Sequence, residues 1–171
     1  MDFSGLPVPF KPALHDVTRF TCASAAQTGW LRHVARQAEV VRTARVYVVT
    51  EAGTSRVVGF HALAAGQVAH DNAPAALLRG AGRSPVPVIL LARLGVDAEA
   101  EGQGLGRALV KDAMLRAHRA AASVGARALL IHAESQEARE FYLHLADFDE
   151  SPTDPLELFL LMSEIGRMFD R

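Results

Sequence analysis

The chain has one cysteine, Cys22, in 171 residues, so no disulfide can form within it. A reducing, cytoplasmic location is the expectation that follows. Cys22 itself reads as a small buried apolar residue or as a nucleophile. Long hydrophobic runs are also missing. The stretch 156–162 is among the longest and is interrupted by Glu157. It falls far short of the roughly 20 apolar residues that span a bilayer. The opening MDFSGLPVPFKP has neither the basic nor the apolar region of a signal peptide, so neither a leader nor a membrane association is expected. No His, Cys, Asp or Glu spacing typical of a metal site is visible, so no metal is expected.

What is present is the composition of a globular protein. Half of the residues are hydrophobic and 22% are charged, and the length suits a single domain over 1–171. The net charge of −1 conceals a split. Residues 1–133 hold 15 Lys and Arg against 9 Asp and Glu, whereas residues 134–171 hold 3 against 10. Arg32, Arg36, Arg42 and Arg45 have only Glu39 among them, and Arg79, Arg83 and Arg93 lie where no acid separates Asp71 from Asp97. A solvated helix face and loop would account for these arginines, and so would a surface for a polyanion.

Residues 24–43 have helical periodicity through Trp30, Leu31, Val34, Ala38 and Val41. The β-rich runs Val46–Glu51 and Arg56–Ala65 flank Ala-Gly-Thr-Ser and read as a hairpin. Residues 70–87 suggest a loop with a helical turn. VPVILLARLGV, 86–96, has the continuous apolar character of a strand buried on both faces. A helix is expected over about 104–123, stopped by Gly125. A buried strand follows over Ala128–Ala133, then a helix capped by Ser135 over Gln136–Leu145, and a last strand over Leu156–Ser163. Helices alternating with buried central strands indicate an α/β or α+β fold with a mixed sheet.

Between the strand at 86–96 and the helix after it stands Glu101-Gly-Gln-Gly-Leu-Gly-Arg107. Strand, glycine loop and helix together suit a phosphate. The first N–H groups of a helix lack intrahelical partners, the dipole adds positive potential, and glycines let the anion approach. A P-loop is excluded because Arg107-Ala108 follows Gly106 where Lys-Ser/Thr is required. The dinucleotide fingerprint G-x-G-x-x-G/A fails too, ending on Arg107 or Leu109 depending on the start. A glycine-rich turn without a ligand is the plain alternative.

The stretch from Leu94 to Leu109 resembles motif A of the GNAT acetyltransferases, in which Q/R-x-x-G-x-G/A follows a strand and cradles the pyrophosphate of acetyl-CoA. Gly104 and Gly106 match its small positions, and Glu101 stands where the family usually has Gln or Arg. Ala138-Arg-Glu-Phe-Tyr142 resembles the family's A-x-x-F-Y signature beside the thioester. The resemblance implies a mixed central sheet flanked by helices, with two central parallel strands splayed around acetyl-CoA. It also implies a cofactor site made of Leu94, Gly95 and Val96, whose backbone would meet the thioester oxygen, and of Glu101, Gly102, Gln103, Gly104, Leu105, Gly106 and Arg107 around the pyrophosphate. Tyr142 would be the general acid for the departing thiolate, a role in which a phenol of pKa about 10 is useful; the residue would otherwise be a core aromatic. No protein base stands out. Glu134 is open to that role, and His61, His118 and His132 fit packing or surface positions better.

Further stretches are similar to the TacT-like toxins within that family: His15–Cys22, Thr28–Leu31, Val57–Gly66, Leu91–Asp97, Ala138–Leu143 and Ser151–Pro155. This similarity implies acetylation of the α-amine of aminoacyl-tRNA, a ribbon-helix-helix antitoxin as partner, and a tRNA surface of Arg32, Arg36, Arg79, Arg83 and Arg93. A homodimer is compatible with it. Ala146-Asp147-Phe148 replaces the usual Gly-Phe after the second motif. Two alternatives stand beside this reading: a GNAT enzyme for a small-molecule or protein amine, and a catalytically silent module that binds acetyl-CoA or an antitoxin.

Overall fold

The computed structural model describes residues 1–170. Its strands are β1 (Val8–Pro9), β2 (Arg45–Thr50), β3 (Val57–Val68), β4 (Val86–Val96), β5 (Ala128–His132), β6 (Asp149–Glu150) and β7 (Glu157–Leu161). The helices are α1 (Ala25–His33), α2 (Ala35–Val41), α3 (Ala75–Leu78), α4 (Leu105–Val124), α5 (Gln136–Leu143) and α6 (Met162–Phe169). The strands form one mixed sheet in the order β1-β2-β3-β4-β5-β7-β6. No helix among the described residues is long and apolar enough to cross a membrane.

The chain separates into two compact units. Met1–Ala64 with Ala92–Ala113 form the first, and Ala65–Leu91 with the chain from Met114 onward form the second. In the first unit β2 and β3 make the expected hairpin, pairing from Arg45↔Leu63 to Thr50↔Val57 with an irregularity at Val49 and Thr50. Gly53 in its turn has a φ of 76°, a left-handed conformation that favours glycine. Phe10, Phe20, Leu31, Val46, Val48, Val57 and Phe60 share one core cluster. Phe20 and Phe60 are fully buried and meet edge to face with centroids 5.5 Å apart. Burial of such a side chain stabilises the fold by roughly 1.5–3 kcal/mol. A second cluster joins Val49 and Val58 to Ala100, Leu105 and Leu109.

In the second unit β5 pairs in parallel with β4 from Val88↔Ala128 to Leu91↔Ile131 and antiparallel with β7. The parallel ladder stops there, although β4 itself continues to Val96. Val86, Val88, Ala128, Leu130 and Phe159 pack with Leu77 of α3.

Three sequence expectations change. The helix expected over 24–43 is two helices, α1 and α2, divided at Val34, whose φ of −116° departs from the ideal helical value. The last strand ends at Leu161, and α6 begins at Met162 instead of the strand continuing to Ser163. Met162, Ile165 and Gly166 are the buried face of α6. A Cβ on Gly166 would lie 3.1 Å from His118 Nε2, so glycine permits close packing against α4. Finally, α5 stops at Leu143, two residues before the expected end.

Candidate active site

Strand β4 has the bounds read from its apolar run, and it delivers Leu94, Gly95 and Val96 at its end. Leu94 and Val96 join the cluster around Leu105 and Leu109. Gly95 has a packing reason to be glycine. A Cβ there would stand 2.8 Å from Phe60, 3.3 Å from Phe20 and 3.4 Å from Cys22 Sγ. Cys22 is half-buried rather than fully buried, with Sγ 3.2 Å from the Ser24 carbonyl and 3.3 Å from Thr28 Oγ1.

Between β4 and the glycines lies a support that the sequence did not reveal. Asp97 is 2% exposed. Its Oδ2 accepts from the Thr21 N–H at 3.0 Å, and its Oδ1 accepts from the Glu99 N–H at 3.0 Å and from Arg56 at 3.2 Å. Arg56 also pairs with Glu99 at 2.7 Å. Two distant chain segments, at Thr21 and Arg56, are thereby tied to the short 3₁₀ turn Ala98–Ala100, which leads directly into Glu101. Arg56 and Asp97 neutralise one another locally, as buried charges must. Gly59 adds a steric condition: a Cβ on it would come within 2.9 Å of Leu105, the first residue of α4. Thr21 and Arg56 are distant from Asp97 in sequence, as Gly59 is from Leu105, so no local pattern pointed to these contacts.

Gly102 and Gly104 adopt φ values of 74° and 82°. Side chains at either position would be strained although the space beside both is open. The glycines therefore serve the backbone conformation first and leave free room second. The Ala108 N–H bonds the Gly104 carbonyl at 3.1 Å, so the N–H groups of Leu105, Gly106 and Arg107 precede that bond and lack intrahelical partners. Glu101 and Arg107 are exposed. The N-terminal amine of Met1 donates to Gln103 Oε1 at 3.3 Å. All seven loop residues named from the sequence thus lie on one turn with its donors available, an arrangement that fits a pyrophosphate.

Tyr142 belongs to the second unit. Ser135 Oγ accepts from the Ala138 N–H at 3.1 Å and starts α5 as expected. The helix buries Tyr142 to 8% exposure while Phe141 remains half-exposed. Burial, with a smaller contribution from the Glu134 carboxylate, raises the phenol above its ordinary range and keeps it protonated.

The arginines differ in how they are held. Arg32 and Arg36 are exposed on α1 and α2, and Arg79 and Arg83 are exposed between α3 and β4. Arg127 ties that segment down by donating to the Leu77 carbonyl at 2.7 Å and to the Arg79 carbonyl. Arg93 is half-buried on β4, with its guanidinium 5.6 Å from the Trp30 ring centroid. Of the histidines, His61 is fully buried against Asp112 at 2.7 Å. His132, Asp154 and Glu157 bring one ligand-type atom each within 4.8 Å of one another, a grouping that no linear spacing displays.

A family model described as an acetyltransferase (GNAT) domain matches residues 42–145. The chain belongs to the GNAT acetyltransferase family. This GNAT chain is an acyltransferase, and its seven-stranded mixed sheet is the fold that the two motifs implied. It is 48% identical over 149 residues to a protein of Mycobacterium tuberculosis (strain ATCC 25618 / H37Rv) named "tRNA-acetylating toxin", with 87% of each covered. A solved structure of a Tyr-to-Phe mutant of KacT matches the GNAT chain with a TM-score of 0.90 at 23% identity, covering 99% of this chain and 100% of that one. AtaT complexed with acetyl-methionyl-tRNAfMet matches with a TM-score of 0.87 at 23% identity, covering 98% and 99% respectively. At these identities the two structures establish likeness of fold.

Proposed function

We propose that this chain is a single-domain, acetyl-CoA-dependent N-acetyltransferase that acetylates the α-amine of aminoacyl-tRNA, acting as the toxin of a type II toxin–antitoxin pair in the cytoplasm. The observation that carries this reading is the 48% identity, over 87% of both chains, to the protein named a tRNA-acetylating toxin. A ribbon-helix-helix antitoxin is the partner that the reading implies.

When bound, acetyl-CoA supplies the thioester: a C–N bond forms to the amine, the C–S bond breaks, the amine gives up a proton and CoA leaves as a thiol. In this proposal the N–H groups of Leu105, Gly106 and Arg107 hold the pyrophosphate, with Glu101, Gly102, Gln103 and Gly104 shaping the turn. The backbone of Leu94, Gly95 and Val96 faces the reacting carbonyl, where N–H donors aimed at developing negative charge lower the barrier. Tyr142, kept protonated by burial, holds a proton for the sulfur.

The chemistry of the acceptor supports an α-amine. An α-amine titrates near 7.7–8.0, whereas a lysine amine titrates near 10.4. A sizeable fraction of an α-amine is thus already a neutral nucleophile at physiological pH and needs no dedicated protein base. Arg32, Arg36, Arg79, Arg83 and Arg93 are the proposed phosphate contacts, since Arg suits phosphate geometry.

Incubation with charged total tRNA and labelled acetyl-CoA tests the reading. Label should appear on the amino acid ester, and replacement of Arg32, Arg36, Arg79 and Arg83 by Ala should weaken tRNA binding and flatten its salt dependence. Label appearing only on polyamines or proteins would instead identify a GNAT enzyme for a small-molecule or protein amine. No turnover with any amine would leave a binding module.

A further inference from the structure

Among the described residues five arginines are half-buried: Arg56, Arg93, Arg116, Arg127 and Arg139. Arg56 is paired with Asp97 and Glu99, Arg127 donates to two carbonyls, and Arg139 donates to the Pro155 carbonyl and to Glu150. Arg116 also has a partner. Arg93 differs from the other four. Among the described residues it has no ion pair and no hydrogen bond, and its guanidinium is engaged only with the ring of Trp30, 5.6 Å from the centroid. A half-buried guanidinium with uncommitted donors bears a desolvation cost that a partner would relieve.

Its platform is rigid. Trp30 stacks on Phe60 with ring planes 8° apart and centroids separated by 6.1 Å. Phe60 is fully buried, meets Phe20 edge to face, and occupies the space a Cβ on Gly95 would need. Arg93 and Gly95 are thus coupled twice, along β4 and through the Trp30–Phe60 stack. Two strand residues correspond to about 6.6 Å, so the fork stands a short, fixed distance from the backbone assigned above to the reacting carbonyl.

From these observations, and resting on the acceptor proposed above, we infer that Arg93, braced on Trp30, is the fork that grips the last phosphodiester of charged tRNA. That phosphate is separated from the α-amine by one ester and one ribose, a separation comparable to that between Arg93 and Gly95 on the strand. A planar fork donates two parallel N–H bonds to a phosphate, and stacking on an aromatic ring orders it before the substrate arrives. Arg32, Arg36, Arg79 and Arg83 are exposed by contrast and serve the body of the tRNA. Arg93 recognises the acceptor end, which every charged tRNA shares, so it sets the position of the amine and not the identity of the amino acid.

The test compares two truncated acceptors: aminoacyl-adenosine, which has no phosphodiester, and aminoacyl-CpA, which has one. Wild-type protein should favour aminoacyl-CpA at least about tenfold in kcat/KM, through KM. Arg93→Gln should erase that preference and Arg93→Lys should restore part of it, because an ammonium has the charge without the fork. Trp30→Leu should lower the preference while the charge stays in place. Acetyl-CoA affinity should be the same in all four proteins, which reports that each is folded. If wild type favours aminoacyl-CpA and Arg93→Gln favours it equally, the inference is overturned and the acceptor assignment survives. If wild type acetylates neither truncated acceptor nor charged tRNA, both are overturned.

Discussion

The glycine loop and the tyrosine helix solve opposite problems. The loop is an exposed stretch of backbone: Glu101, Gly102, Gln103 and Gly104 are open to solvent, and the groups proposed to hold the pyrophosphate are N–H donors that any residue could supply. Its specificity lies in conformation, with Gly102 and Gly104 at φ values that other residues resist. The α5 site is one side chain, Tyr142, buried to 8% exposure and raised in pKa by its surroundings. A backbone site is marked in sequence by what is missing, here Cβ atoms. A side-chain site is marked by a residue whose neighbours set its protonation, and those neighbours come from tertiary structure.

Substitutions can set the two regions against each other. The largest effect is expected from Gly104→Val, which puts a β-branched residue at φ 82° and closes the space beside the turn. Acetyl-CoA binding should fall below detection in calorimetry while circular dichroism stays native; retained affinity would separate the loop from the cofactor. Tyr142→Phe should do the reverse, leaving acetyl-CoA affinity unchanged and lowering turnover by about 10²–10⁴-fold. The same variant alters alkaline stability. The folded phenol ionises at higher pH than the unfolded one, so its contribution is intact below pH about 10 and is lost as pH climbs beyond that value. Tyr142→Phe should therefore lose less stability than wild type as pH rises above about 10 in denaturant titrations.

Asp97→Ala asks whether the loop is held from outside. Asp97 is the acceptor for the Thr21 and Glu99 N–H groups, and leaving such a donor unsatisfied costs about 1–3 kcal/mol, whereas Arg56 keeps its pairs with Glu99 and Glu51. Urea unfolding should show a loss of that size, and acetyl-CoA affinity should fall with it; a loss of stability alone would mean that the 3₁₀ turn does not position the loop. The smallest effect belongs to Glu101→Gln. Glu101 is exposed, so its repulsion of a pyrophosphate is screened. The variant should bind acetyl-CoA equally well or slightly more tightly, and weaker binding would give Glu101 a positive role.

Much of the fold was legible from local pattern. The apolar run 86–96 coincides with β4, Gly125 ends α4 with a φ of 86°, and Ser135 caps α5. The misreadings also have physical causes. β1 and β6 are two-residue strands, too short for any periodicity, and they exist because β2 and β7 offer them partners. The apolar character of β7 continues into α6, so only the switch of spacing at Met162, Ile165 and Gly166 distinguishes helix from strand. Asp97 lay inside a stretch already singled out, yet its value depends on Thr21 and Arg56, 76 and 41 residues away.

By itself the sequence determined where the glycine loop stands, which helix bears Tyr142 and how charge is divided along the chain. Those properties reside in neighbouring residues and in periodicities of two or 3.6, which the backbone imposes locally. Only tertiary structure decided that Gly95 yields its Cβ space to Phe60, that Asp97 and Arg56 brace the turn before the loop, that burial holds the proton on Tyr142, and that Arg93 rests on Trp30. Each of these depends on desolvation or contact between distant segments, and neither is defined until the sheet has brought the segments together.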